Sequence, residues 1–207
     1  GQALARLGVE ITGFEALSSI GGLSDPDVSA ALIEAMKDEW PIALGQPAEV
    51  VADGSDLRVR TDSRDVAVDA VLASLGADPA LDGLGLERLG LDPSAEDGPP
   101  VDPVTGRIGD SSVFLAGDAN GNRPVLHEAL DDGLLCGEGG CRRRRVPMAA
   151  VFCDPEAFRV GTPWSELDRD ETAVGSVDFS DQARAVIEGR NRGLIRLYAD
   201  ASSGRLR

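Results

Sequence analysis

The sequence predicts an α/β fold in which short apolar strands alternate with amphipathic helices. Three observations predict it. Residues 9–14 have a strand pattern and precede a well-marked helix start, residues 113–116 have a strand pattern and precede a second helix, and strand-like runs dominate the chain from Val146 onward. A hydrophobic content of 42% over 207 residues is enough for one or two domains with a real core.

The first third of the chain contains a capped helix and an antiparallel excursion. Asp25 is suited to be an N-cap, Pro26 stands at the first helical position, and the apolar periodicity continues for about three turns. From Ile42 to Val68 the pattern alternates around an Asp-Gly turn, which predicts paired antiparallel strands. Residues 68–75 are apolar enough for a buried strand.

The middle of the chain predicts a long connection and one further strand and helix. Residues 78–110 are rich in Gly, Pro and Asp, which predicts irregular backbone. A strand over 113–116 and a helix over 125–135 follow, and residues 138–145 have the composition of an exposed linker. Beyond them, the runs PMAAVFC, AVGSVDF and GLIRLYAD each predict a strand.

Charge excludes two classes of partner. The formal net charge is -16, because 36 acidic residues outweigh 20 basic ones, and such a chain repels nucleic acid and anionic membranes. No apolar run reaches the length of a membrane span, and no secretory leader pattern opens the chain. We therefore expect a cytoplasmic protein with no nucleic-acid or membrane partner.

Residues 113–129, VFLAGDANGNRPVLHEA, are the most informative segment. A strand leads into Gly-Asp, a Gly/Asn/Pro turn and a helix start, whose free N–H groups and positive dipole end suit an electron-rich ligand. The segment resembles the second flavin-binding motif of the pyridine nucleotide–disulfide oxidoreductases. The resemblance implies FAD as cofactor and flavin contacts from Asp118, Pro124, Val125, Leu126 and His127. The alternative for Asp118 is an ordinary loop carboxylate.

Two further positions resemble the NAD domain of this family. Glu15 ends the first predicted strand, where an acidic residue accepts hydrogen bonds from the adenosine ribose and favours NAD. Gly76 stands where the family has a glycine near the nicotinamide. The family usually continues with Arg-x-Pro-Asn, and this chain departs from that pattern with Ala-Asp-Pro-Ala. The alternative for Glu15 is a solvated side chain.

The last third resembles the family's dimerisation domain, over Val146–Gly161 and Val177–Asp200. The resemblance therefore implies partial Rossmann-like NAD and FAD domains followed by the start of an α+β dimerisation domain. Its segments are residues 1–76 from the NAD domain, 77–145 closing the FAD domain with a linker, and 146–207 opening the dimerisation domain. The intact family member is expected to be a homodimer.

No catalytic or metal-binding residue is predicted. Cys136 and Cys141 have the spacing of the family's redox disulfide but lack its flanking residues, so chance spacing is the better interpretation. His127 is the only histidine and does not inherit the role of the family's catalytic base, which belongs to a far C-terminal segment. The Arg142–Arg145 run is interpreted as a solvated linker.

The family resemblance implies an FAD-dependent NAD(P)–disulfide/dithiol oxidoreductase of the dihydrolipoyl dehydrogenase type, with a dithiol or disulfide substrate. The chain contains neither G-x-G-x-x-G fingerprint, nor the family's redox disulfide, nor its C-terminal His–Glu pair, so we expect this fragment to be inactive alone. One alternative is a non-catalytic remnant or interaction module that retains a dimerisation surface. The other is a flavoenzyme of the mercuric or glutathione reductase kind.

Overall fold

A computed structural model describes residues 1–54, 56–91, 98–123, 125–140 and 144–207. The predicted mixed α/β class is confirmed. The described helices are α1 (Gln2–Arg6), α2 (Pro26–Met36), α3 (Leu126–Gly137) and α4 (Ala183–Ile187). The described strands are β1 (Gly13–Glu15), β2 (Ile42–Leu44), β3 (Glu49–Asp53), β4 (Asp56–Arg60), β5 (Asp65–Val68), β6 (Met148–Val151), β7 (Ala157–Val160), β8 (Thr172–Asp178) and β9 (Leu194–Asp200).

Internal contacts divide the chain into two compact units. The first unit comprises Gly1–Leu72 and Ala150–Arg207, and the second comprises Ala73–Ala149. These units are defined by contacts within the chain and do not test the predicted succession of NAD, FAD and dimerisation segments. That succession stays a prediction. Each unit is described by itself below.

In the first unit, the predicted helix cap and hairpin both form. The Asp25 carboxylate accepts the Asp27 and Val28 amides at 2.9 and 3.2 Å, which satisfies two N–H groups that α2 leaves free. β3, β4 and β5 form an antiparallel meander in which Asp53 pairs with Asp56 at the turn. β1 and β2 instead pair in parallel, with Glu15 opposite Leu44.

Apolar residues of α2 form the core of the first unit. Leu32 and Met36 are 5% and 4% exposed and pack with Leu23 and Ala157. β8 and β9 pair in antiparallel orientation across the connection that contains α4, and Arg196 and Tyr198 of β9 contact the N-cap of α2. These contacts link the C-terminal segment of the first unit to its N-terminal segment.

The second unit is mostly irregular and is closed by α3. Its core contains Leu81, Leu86, Ile108 and Leu115, of which Ile108 is only 1% exposed. The predicted helix over 125–135 is confirmed as α3. A one-turn 3-10 helix, Gly117–Asn120, precedes it.

Two predicted strands do not form. Residues 69–80 have no strand structure, and Leu72 and Leu75 are 74% and 94% exposed. At residues 113–116 only a single bridge, between Arg107 and Phe114, is present. An apolar run becomes a strand only where a neighbouring strand pairs with its backbone, and no described strand pairs with either segment.

Among the described residues, no helix combines the length and the apolar character needed to cross a lipid bilayer.

Candidate functional site

A tight turn places Asp118 at the surface of the second unit. Gly117 has φ +66°, and a Cβ atom there would lie 3.1 Å from the Ala129 Cβ, so the turn closely approaches α3. Asp118 is exposed, and its carboxylate has no partner among the described residues. A carboxylate in this state is free to accept hydroxyl donors from a ligand.

A buried carboxylate beneath this turn fixes its shape. Asp132 is 1% exposed, and its Oδ2 accepts the Gly117 amide at 3.3 Å and the Asn120 side-chain amide at 2.5 Å. Its other oxygen, Oδ1, pairs with the Arg144 guanidinium, whose side chain is 9% exposed. The charge of the carboxylate is therefore compensated by a nearly buried arginine.

The N-terminus of α3 offers unpaired donors. Val125 is the N-cap, with an extended backbone, and no side chain caps the helix within the described residues. The first N–H groups of a helix have no partner within it and carry its positive dipole end. Leu126, at the first helical position, is 79% exposed. Pro124 lies outside the described residues.

Side chains in the first turn of α3 also contact the backbone of Met148. The His127 Nε2 atom lies 2.8 Å from the Met148 carbonyl oxygen, and the Glu128 carboxylate accepts the Met148 amide at 3.1 Å. Arg123 compensates the buried Glu128 at 3.0 Å. Because the His127 ring is already engaged, its backbone amide is the group that it can offer to a ligand.

In the first unit, Glu15 lies at the carboxyl end of the parallel β1–β2 pair. Its Oε1 accepts the Leu17 amide at 3.0 Å, and its own carbonyl accepts the Gln46 amide at 3.3 Å. Ligands of α/β sheets bind at the carboxyl ends of parallel strands. Oε2 of Glu15 has no described partner and is the oxygen that a ribose hydroxyl would meet.

Gly76 lies in the irregular segment of the second unit. It has φ +87° and is exposed, and a Cβ atom added there would have no neighbour within 4 Å. The structure thus places Glu15 and Gly76 in different units and brings Asp118, Val125, Leu126 and His127 into one unit. Nicotinamide and ribose roles for Gly76 and Glu15 stay predictions.

The structure tests the arginine interpretation at Arg144, whereas the interpretation of the Cys136 and Cys141 spacing stays a prediction. The Cys136 Sγ lies 3.6 Å from the Leu115 carbonyl oxygen, and burial, aided by Asp132, raises the pKa of this thiol. Cys141 lies outside the described residues. The interpretation of the arginine run as a solvated linker is wrong for Arg144, because a buried carboxylate attracts its guanidinium. Arg142 and Arg143 lie outside the described residues.

The buried pair of Asp132 and Arg144 is the feature that sequence reasoning missed. A signal for it exists in the helix pattern. Glu128, Asp132 and Leu135 are the buried residues of α3 and share one face at i, i+4 and i+7 spacing. Two acidic residues on a buried face require partners, and an arginine-rich segment follows the helix. No cluster of three or more potential metal-binding side chains occurs within the described ranges.

Comparison with known proteins decides the family. The family model described as pyridine nucleotide-disulphide oxidoreductase matches residues 1–133. The chain belongs to this family. The predicted resemblance and the predicted class, a flavoprotein oxidoreductase family that includes dihydrolipoyl dehydrogenases, are therefore confirmed.

Curated members of the pyridine nucleotide-disulphide oxidoreductase family match nearly the whole chain. A dihydrolipoyl dehydrogenase of Halobacterium salinarum is 29% identical over 220 residues, which cover 97% of this chain and 45% of the relative. An NAD(P)H dehydrogenase (quinone) of Mycobacterium tuberculosis is 28% identical over 213 residues, which cover 98% of this chain and 43% of the relative. The chain thus spans less than half the length of these relatives.

Solved structures match the fold. LpdA of Mycobacterium tuberculosis superposes with a TM-score of 0.82 at 25% identity, over 99% of this chain and 47% of that one. The flavoprotein disulfide reductase RclA of Escherichia coli has a TM-score of 0.81 at 23% identity, over 99% of this chain and 49% of that one. The similarity to RclA shows the fold alone.

The groups present around the Gly117–Asn120 turn fit a flavin. A partner-free carboxylate at Asp118 matches the hydroxyl donors of a ribityl chain. The uncapped N–H groups of α3 match the electron-rich edge of an isoalloxazine ring. Both features lie in one unit.

Proposed function

We propose that this chain serves an FAD-dependent NAD(P)–disulfide/dithiol oxidoreductase of the dihydrolipoyl dehydrogenase type. The observation that carries the proposal is the exposed, partner-free Asp118 carboxylate in the same unit as the uncapped N-terminus of α3. The similarity to dihydrolipoyl dehydrogenases over almost the whole chain supports it. A dithiol or disulfide is the proposed substrate.

The residues of this chain bind and orient in this proposal. FAD, when bound, supplies the chemistry that couples hydride transfer to dithiol exchange. Asp118 accepts the ribityl hydroxyls, and the backbone amides of Leu126 and His127 donate to the flavin ring. Glu15 accepts the adenosine ribose hydroxyls of NAD, for which its free Oε2 is suited.

We further propose that the 207 residues alone do not turn over substrate. The sequence has no G-x-G-x-x-G segment for a pyrophosphate, and its one histidine side chain is engaged with Met148. The expected result is no consumption of NADH by the purified chain with lipoamide or glutathione disulfide. Sustained turnover would contradict this part of the proposal.

Titration with FAD tests the binding site directly. Removal of the Asp118 carboxylate in Asp118→Ala should weaken FAD binding by about tenfold or more, because a hydrogen bond to a charged group is lost. Asp110→Ala is the matched control, since Asp110 is an exposed acidic residue of the same unit whose described ion pair, with Arg107 at 3.4 Å, is weak. Equal affinities for the two variants would refute the role of Asp118.

A non-catalytic interaction module is the second candidate, and one surface favours it. The outward face of β8–β9 carries Val177, Ile195 and Leu197, which are 55%, 47% and 58% exposed. A second copy of the chain is the proposed partner. Sedimentation should show a dimer for the wild type and a monomer for Leu197→Asp, without any need for flavin. A monomeric wild type at high concentration would argue against this candidate.

A further inference from the structure

The position of Arg144 points to a role that goes beyond neutralising a buried charge. We infer that Arg144 is a positioning residue of the flavin site, which holds the Gly117–Asn120 turn in its ligand-accepting shape through Asp132. The inference rests on the proposed flavin function for its ligand. Its geometric part, the control of the turn by Arg144, stands on contacts within the second unit.

The Asp132 carboxylate divides its two oxygens between two tasks. Oδ2 alone holds the turn, because both the Gly117 amide and the Asn120 side-chain amide donate to it. Oδ1 alone meets the Arg144 guanidinium. The arginine therefore acts on the turn through the carboxylate, which it holds in place.

Arg144 is itself fixed from a second direction. Its Nη1 donates to the Pro103 carbonyl oxygen at 2.9 Å, while Nη2 donates to Asp132. Its Nε is buried without a described partner. A single guanidinium thus joins the loop around Pro103 to α3, and the planar fork of arginine is needed to reach both acceptors at once.

Loss of the guanidinium leaves an uncompensated charge at a site that is 1% exposed. A buried carboxylate without its counter-ion moves or admits water, and either change weakens its hydrogen bonds to neighbouring donors. The Gly117 and Asn120 contacts are the donors at stake. Asp118 follows Gly117 directly, so a loosened turn misplaces the carboxylate that is proposed to bind the ribityl chain.

Three variants of the full chain separate this role from general stability. Arg144→Met removes the guanidinium. Arg145→Met is the matched control, because the Arg145 side chain is 68% exposed and its ion pair with Asp131, at 3.4 Å, lies at the surface. The double variant Asp132→Asn with Arg144→Met is the rescue. An asparagine oxygen in place of Oδ2 retains both contacts to the turn and carries no charge that requires a partner.

Two readouts are measured on each variant: hydrogen exchange of the Gly117 amide without ligand, and the visible absorbance change on titration with FAD. Arg144→Met should exchange the Gly117 amide about tenfold faster and bind FAD about tenfold more weakly than Arg145→Met. The double variant should recover most of both. General stability is followed separately through the Ile108 amide, which donates to the Val113 carbonyl in the same unit: a loss of stability alone would speed exchange of the Gly117 and Ile108 amides equally.

Equal Gly117 exchange and equal FAD affinity in Arg144→Met and Arg145→Met would overturn the inference. Failure of the double variant to recover either quantity would also overturn it. A wild-type chain that binds no FAD would refute the proposed function instead, and Gly117 exchange in the two single variants would then decide the role of Arg144 in the turn.

Discussion

At the scale of single residues, Asp25 shows how one carboxylate joins distant parts of the first unit. It caps α2, receives the Tyr198 hydroxyl on one oxygen and pairs with Arg196 at 2.8 Å on the other. Burial alone would raise the pKa of Asp25, but the hydrogen bonds from Tyr198, from the backbone amides and from Arg196 outweigh it and hold the pKa below its ordinary value. The charged form of Asp25 therefore stabilises the fold.

Substitution of Tyr198 by Phe tests this contribution. The free energy of unfolding should fall by about 1.5–3 kcal/mol at pH 7, because a hydrogen bond to a charged group is lost. Since folding lowers the pKa of Asp25, the stabilisation is present above its unfolded value, about 3.9, and is lost as the pH falls through the folded value. The difference between wild type and Tyr198→Phe should therefore shrink as the pH falls below about 4.

The control for this experiment is Asp27→Asn. Asp27 also contacts Arg196, at 2.6 Å, but its side chain is 66% exposed, so its loss should change the free energy of unfolding by less than about 1 kcal/mol. Urea unfolding of the three proteins at several pH values provides the comparison. A Tyr198→Phe effect that is independent of pH would contradict the assignment to Asp25.

Gly117 is the second residue whose local geometry makes a prediction. Gly117→Ala adds both left-handed strain and a 3.1 Å approach to Ala129, whereas Gly109→Ala, at φ +48°, adds strain with nothing within 4 Å. Gly117→Ala should lower the free energy of unfolding more than Gly109→Ala, by about 1 kcal/mol or more. Equal thermal midpoints would show that the turn does not pack closely on α3.

At the scale of elements, the sequence predicts the helices and turns that depend on local signals. The cap at Asp25, the meander around the Asp-Gly turn and the helix over 125–135 all form, because capping, alternation and helical periodicity are local properties. The strands expected at 68–75 and 113–116 do not form, since strand formation depends on partners that a local pattern cannot show. The parallel pairing of β1 with β2 depends on the same non-local information.

The candidate site shows the same limit. The motif around Asp118 is visible in the sequence, and the structure brings Asp118 and the start of α3 into one unit. The pairing of Asp132 with Arg144 is a contact between residues 12 apart, across a helix end, that no motif records. Sequence therefore indicates which residues to propose as ligand contacts, whereas the structure is needed to show which side chains hold the turn.

A proline at the start of α3 separates the role of its backbone from that of its side chains. Leu126→Pro removes one N–H group but suits the first helical position, and the extended N-cap at Val125 tolerates a following proline. Leu126→Ala removes the same exposed side chain and keeps the N–H. FAD should bind several-fold more weakly to Leu126→Pro than to Leu126→Ala, with similar unfolding midpoints. Indistinguishable dissociation constants would exclude this amide from the site.

At the scale of the whole molecule, net charge predicts the response to salt. With a formal charge of -16, we expect self-repulsion in the folded chain to outweigh the stabilisation from its ion pairs. Raising NaCl from about 0.05 M to about 1 M shortens the screening length to about 3 Å and should raise the thermal midpoint, by roughly 2–4 °C for each kcal/mol of repulsion removed. A midpoint that falls with salt would show that ion pairs outweigh repulsion.

The central claim is that the Gly117–Asn120 turn and the N-terminus of α3 form a flavin site. The most direct measurement is the visible absorbance of the protein peak after incubation of the 207-residue chain with FAD and gel filtration. The account predicts a flavin band that travels with the protein and is diminished in Asp118→Ala. A folded protein peak that elutes without flavin would contradict the claim.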